Sequence, residues 1–432
     1  MLTTPFLTDL DSRAAVKGSR DPLGIQPIWT RLGRHVVGNL TTVSNSIRDF
    51  TTLLLGYYFA EEVSAAEGPE TALATFLKWE QLAAYARAAR NKDYVFRGTE
   101  RVRRTLSNGS RVTLSESQTF QILSNQKIYG LYGLYTVPAF ASGLLQGDPT
   151  RLTPPARELV ERTYLPILAE AGGAGTRRLV ELLRKPNPRL DIEGTDAPLV
   201  AAVAKVLRRK LLAPERGPYR DHLLLGGPQD ATQGLQSQLA DLLEPTLASR
   251  EFVWSPAVVR ALAKQARRNG EGGQMLAQRL ERIEACERVM APISALFSHV
   301  LGLDGEPVEK LTRRLRDEWD PAVATVDAAA LLEPLETELA PGVPDVGRRW
   351  ADVARALAVG DYASVIELLL AQNRWVMATR GGAPWVELDA GRLKVRFREE
   401  SGSLPTREEL PTLWRFPYFL GSLRSIAMGL RE

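Results

Sequence analysis

Between Arg87 and Arg111 the chain places eight basic side chains, Arg87, Arg90, Lys92, Arg97, Arg101, Arg103, Arg104 and Arg111, against two acidic ones, Asp93 and Glu100. Cations gathered in this way neutralise phosphates, and the interleaved Tyr85, Tyr94 and Phe96 offer ring faces on which unpaired bases stack. The same arginines could instead pair with carboxylates elsewhere on a solvated surface, where such pairs contribute little. On the first reading this interval, with Arg151 beyond it, is a phosphate-binding surface. A second basic set lies near the C-terminus, where Arg392, Lys394, Arg396 and Arg398 alternate with Leu393, Val395 and Phe397. A strand of that period turns the cations to one face and the apolar residues to the other. That face is expected to meet phosphate or an acidic partner.

Other chemistry finds less support. Glu387, Asp389 and Lys394 are residue types used by metal-dependent nucleases, but a third carboxylate and a lysine two residues after an acid are missing. His35, His222 and His299 stand far apart without Cys or paired-carboxylate spacing, so no metal is expected. His299, beside Phe297 and Val300, reads as a hydrogen-bonded core histidine. Cys286 has Glu284 and Glu287 close by, which disfavours a thiolate nucleophile. As the single cysteine it can form no intramolecular disulfide, which suits a reducing, cytoplasmic compartment. The run Gly172-Gly-Ala-Gly-Thr-Arg-Arg178 precedes a helix but lacks the strand and the Gly-Lys-Ser/Thr spacing of a nucleotide loop, and reads as a linker. No cofactor is expected, and the sequence leans away from an enzyme.

The elements that must position these residues are mostly helices. The chain has 432 residues, 44% apolar and 25% charged, enough for two or three globular domains. Its 55 basic and 51 acidic residues leave a net charge of only +4, so phosphate affinity depends on clustering rather than on the total. The N-terminus lacks the pattern of a signal peptide, and the most apolar stretch, 53–60, is far below the roughly 20 residues of a spanning helix. Membrane insertion is not expected.

Apolar spacing predicts a buried helix over about 36–63, kinked near Gly38 or Gly56, and a second over about 70–90. A turn at Ser107-Asn108-Gly109-Ser110 leads to a short strand at 111–114. Helices follow over 118–135 and 138–145, then a short strand near 151, and a helix opened by Pro154 or Pro155 with Thr153 as its N-cap. Further helices are expected at 177–184, 199–212, 257–269, 274–301 (bent at Pro292), 308–319, 322–339, 348–359 and 362–379. Gly/Pro-rich loops intervene at 185–198 and 214–234. A hairpin at 385–397, turning at Asp389-Ala-Gly391, then an aromatic knot of Trp414, Phe416, Tyr418 and Phe419 and a helix over 422–430, close the chain. Texture divides it into 1–170, a central helical part 171–340, and 341–432.

The order helix, turn, helix, then Gly143-Leu-Leu-Gln-Gly-Asp-Pro-Thr-Arg-Leu-Thr-Pro-Pro-Ala-Arg-Glu-Leu-Val160 resembles the end of a winged helix-turn-helix domain. The likeness covers about residues 118–168. It implies a small helical core presenting one helix to a DNA groove and a wing to the backbone. The helix it would present, 138–145, has no Arg, Lys, Asn or Gln to read base edges. DNA contact would then be sequence-independent, or the helix would meet protein.

These observations together predict a mainly α, multi-lobed protein with a winged-helix-like N-terminal portion and a small C-terminal hairpin and helix. The expected function is a non-enzymatic, nucleic-acid-associated subunit of a multiprotein complex, for example in prokaryotic genome defence or DNA processing. The alternatives are a protein-interaction scaffold subunit without DNA contact, and an enzyme with an unrecognised site.

Overall fold

The computed structural model describes residues 21–170, 175–249, 251–323, 346–397 and 402–431. The protein is mainly helical; among the described residues its strands form three two-stranded antiparallel ladders. Contacts group the chain into two units, Val37–Ser249 with Phe419–Glu432, and Met1–Val36 with Arg250–Tyr418. Each unit therefore joins segments distant in sequence, whereas the divisions near 170 and 340 mark changes of composition.

In the first unit α1 (Ile47–Glu67) packs along α2 (Thr71–Ala86). Both are buried on nearly every side through their middles, as helices apolar all round must be. Gly56 allows the approach: a Cβ there would lie 2.6 Å from the Phe76 ring. The first helix starts later than its apolar spacing suggested. Ser46 caps it, accepting from the Asp49 amide at 3.3 Å. Residues 36–46 are turned rather than helical, with the Gly38 amide donating to Gln236 Oε1 at 2.9 Å.

Past α2 one π-helical turn, Arg87–Asn91, ends at Lys92 in the left-handed region. Then come α3 (Thr99–Ser107) and β1 (Arg111–Thr113). The strand pairs with β4 (Arg189–Asp191), from a segment that sequence alone assigns to a loop. The expected helix over 118–135 is replaced by turns at 117–125, a short α4 (Gln126–Tyr129) and α5 (Leu131–Ala141). No separate helix starts at Pro138; the proline lies inside α5. The hairpin β2 (Leu145–Gln146) and β3 (Arg151–Leu152) leads into α6 (Pro154–Leu159); the strand near 151 and the helix were expected, whereas the partner strand at 145–146 was not. Thr153 stands at the N-cap, but its hydroxyl donates to the Gly143 carbonyl at 2.9 Å instead of capping. Beyond lie α7 (Gly175–Arg184) and α8 (Ala197–Val206), and the helix Leu420–Arg431 returns to this unit through Ser422 Oγ, 2.7 Å from the Thr41 carbonyl.

The second unit is built on α9 (Pro256–Ala266), the long α10 (Gly270–Val300), α11 (Val308–Trp319), α12 (Val346–Ala358) and α13 (Tyr362–Thr379). The helix expected over 322–339 falls almost wholly outside the described residues, as do residues 172–174 of the glycine-rich run. The C-terminal hairpin forms as expected: β5 (Val386–Asp389) and β6 (Arg392–Val395) turn at Ala390 and Gly391, both with positive φ. Glu287 on α10 anchors the aromatic knot, accepting from the Tyr418 hydroxyl at 2.6 Å and from the Phe416 amide at 3.2 Å. His299 is a bonded core residue, its Nδ1 2.9 Å from the Gly402 carbonyl and its Nε2 3.2 Å from Arg314.

Candidate nucleic-acid interface

The eight basic residues of 87–111 do not share one environment. Arg87 turns inward from the π-helical turn, with only 4% of its side chain exposed, and meets Asp49 at 2.6 Å and Asp93 at 2.7 Å. Burial opposes its charge, but the two carboxylates outweigh that and raise its pKa. Arg101 on α3 donates to the carbonyls of Gln121 at 2.6 Å and Leu123 at 3.2 Å. Arg87 is structural, its Nε, NH1 and NH2 all donating to protein acceptors, while the half-buried Arg101 commits one terminal nitrogen to the loop it holds. The expected stacking aromatics are also taken: Tyr85 is buried, Arg103 lies 4.3 Å over the Tyr94 ring, and Arg87 lies 5.2 Å over Phe96.

Six of the eight remain at the surface. Arg90 is exposed, with one bond to the Ile192 carbonyl at 2.9 Å. Arg111 is 87% exposed and lies 3.6 Å from Asp191, the neighbour of Ile192. The β1–β4 ladder thus brings Arg90 and Arg111 to one edge. Arg103 touches Glu100 only loosely, at 3.5 Å. The side chains of Lys92, Arg97 and Arg104 are exposed and make no hydrogen bond or ion pair with the described residues. Arg151, on the hairpin strand β3, is exposed but on a different element.

Sequence reasoning missed part of this surface. The register Thr113↔Arg189 puts Arg189 on the outward face of the ladder with Arg111, while Val112 and Leu190 face the core. Asn91 donates to the Ala204 carbonyl at 2.9 Å and so brings the end of α8 alongside, where Arg208 and Lys210 are exposed. That turn is pinned from beneath. Arg48, in a buried ion pair with Glu215 at 2.8 Å, donates to the carbonyls of Arg208 at 2.6 Å and Lys210 at 3.1 Å. The run Arg208-Arg209-Lys210 was the available signal.

The C-terminal basic face carries mixed charge. Leu393 and Val395 are buried and Arg392 and Lys394 exposed, as alternation predicts. The register, however, sets Glu387 opposite Lys394 and Asp389 opposite Arg392 on the same face. Lys394 lies 3.5 Å from Asp389, and Arg396 is mostly buried against Glu387, its Nε at 3.0 Å. Mixed charges leave little field for a polyanion. Arg398 lies outside the described residues.

A cleft of about 260 Å³ opens between Asp49, Glu80, Arg87, Phe96, Arg97 and Leu131. Glu80 is fully buried, which raises its pKa to about 7, and it accepts from the Leu131 amide and from Gln126 Nε2, each at 2.8 Å. Asp49 accepts from Arg87 and, at 3.2 Å, from the Tyr135 hydroxyl. Burial, with Asp49 second, pushes the Tyr135 phenol well above its usual value. A shifted carboxyl in a cleft is a common sign of catalysis. Here the oxygens of both acids are directed at protein donors, and the arrangement holds α4 and α5 against α2. A larger concavity in the second unit, about 610 Å³, sets Arg348 and Arg349 beside Asp352, and Arg349 stacks on Trp375 at 4.8 Å.

Facing outward, α5 shows Val137, 68% exposed, and Phe140, an apolar face without a base-reading side chain. Among the described residues no cluster of His, Cys, Asp or Glu could hold a metal ion, and no helix is long and apolar enough to cross a membrane. No family model, curated protein or solved structure matches the chain.

Proposed function

We propose that this chain is a non-enzymatic subunit of a multiprotein assembly that holds nucleic acid by its backbone, without reading sequence. The observation that carries the proposal is the set of outward cations Arg90, Lys92, Arg97, Arg104 and Arg111, of which the side chains of Lys92, Arg97 and Arg104 have no bonded partner among the described residues. Exposed, unsatisfied guanidinium groups bind phosphates and release their counterions. Arg189, Arg208 and Lys210 extend the same surface.

A second reading is favoured by the exposed Val137 and Phe140 on α5: a protein-interaction subunit without nucleic-acid contact. A triple reversal, Arg90→Glu, Arg104→Glu and Arg111→Glu, separates the two in a gel-shift titration with non-specific duplex. The nucleic-acid reading expects retention to be lost; retention equal to that of the unmodified chain contradicts it.

A further inference from the structure

We propose that the face built by the 117–129 segment binds single-stranded nucleic acid, with bases stacked on Phe120 and Tyr129 and phosphates held by Arg97, Arg104 and Lys127. The inference rests on the nucleic-acid reading above and names the form of polymer recognised.

Phe120 is 42% exposed and Tyr129 is 44% exposed, and neither ring contacts another aromatic ring or a cation among the described residues. They contrast with Tyr94 and Phe96, whose faces guanidinium groups already cover. A free ring face stacks any base, but only one that is not already stacked within a duplex.

The segment that presents the rings is fixed on its inner side by glutamine side chains. Gln81 exchanges two bonds with the Ser115 backbone, at 2.7 and 2.9 Å, and donates to Gln126 Oε1 at 3.0 Å. Gln121 Oε1 receives the Gln126 amide at 2.8 Å, while its own Nε2 donates to the Glu116 carbonyl at 2.6 Å. Gln126 Nε2 reaches the Leu77 carbonyl at 2.9 Å and Glu80 at 2.8 Å. A scaffold of this kind removes most of the ordering entropy that a flexible loop would lose on binding.

The charge around the segment is complementary to a polyanion. Arg101 grips the Gln121 and Leu123 carbonyls, so α3 lies against the loop that carries Phe120. Arg104 follows Arg101 by one turn of α3, and Arg97 borders the same cleft as Ile122. Lys127 is exposed on α4, two residues before Tyr129. Of the acids nearby, Glu80 is buried and bonded, Glu100 faces Arg103, and Glu116 is exposed at the start of the segment.

The test is fluorescence anisotropy with a labelled oligothymidylate and with a duplex of the same length. The variants are Phe120→Ala, Tyr129→Ala, their double, and the ring-preserving pair Phe120→Tyr with Tyr129→Phe. Each alanine is expected to weaken single-strand binding by about tenfold, with duplex affinity within about twofold and the ring-preserving pair close to wild type. Arg104→Glu should weaken both polymers. If the double alanine variant binds oligothymidylate as the wild type does, the inference fails while the backbone-binding reading survives. If that variant instead loses a co-purifying protein, the face is a protein interface and the inference fails. Should the wild type bind neither polymer, both readings fall together.

Discussion

The Arg87 guanidinium lies 2.6 Å from the Asp49 carboxylate inside the core of the first unit, although it begins the most basic interval of the chain. A residue type suited to phosphate is here a structural tie between the end of α2 and the start of α1. Arg90 lies on the same π-helical turn, which this tie anchors.

Removing one partner of a buried ion pair leaves the other charge uncompensated, at about 3–5 kcal/mol. Arg87→Ala is therefore expected to lower stability by that order, whereas Arg104→Ala, at an exposed site, should stay within about 0.5 kcal/mol. Urea unfolding midpoints of the two variants check this; equal midpoints contradict the division between structural and surface arginines.

Burial raises the Glu80 carboxyl from its ordinary 4.5 to about 7. Between those values the folded protein holds a proton that the unfolded chain has released, so stability falls as pH rises through this window. Glu287 acts in the same direction, also raised to about 7 chiefly by burial. In Glu80→Gln the part due to Glu80 disappears. The drop in urea midpoint between about pH 5 and about pH 8 should be smaller than in the wild type. An equal or larger drop would show that Glu80 does not titrate in this range.

On the C-terminal hairpin, Arg392 and Lys394 share their face with Glu387 and Asp389. The double change Arg392→Ala and Lys394→Ala is expected to leave oligonucleotide affinity within about twofold, because a mixed-charge face attracts a polyanion weakly. Loss comparable to that of Arg104→Glu in anisotropy would restore the hairpin as a binding face.

Much of the helical frame was legible. Residues 308–319 and 362–379 form helices with the expected bounds, since Pro307 and Asp361 precede strongly periodic runs. The hairpin was legible from Ala390-Gly391. Of the helix expected over 118–135, the part from 126 onward is helical and the part over 118–125 is not. Gln121 captures the Glu116 carbonyl and the Gln126 amide, and Gln126 Oε1 takes the Ile122 amide, backbone groups that a helix would have used; such competition is invisible in apolar period. Non-local partners hid the rest: β4 stands 78 positions after β1, and the fate of Arg87 depends on Asp49, 38 positions earlier. Of the eight basic residues that define the interval in the sequence, Arg87 and Arg101 are engaged within the fold and six are exposed or loosely paired.

If exposed cations hold a phosphate backbone, binding must weaken steeply as salt rises. Dissociation constants for a non-specific oligothymidylate, taken over a range of salt concentrations, give a slope of log affinity on log salt. About five phosphate contacts on a single strand predict a slope near −3.5, falling toward zero in the Arg90→Glu, Arg104→Glu, Arg111→Glu variant. A flat slope in the wild type, or the same slope in that variant, would contradict the account.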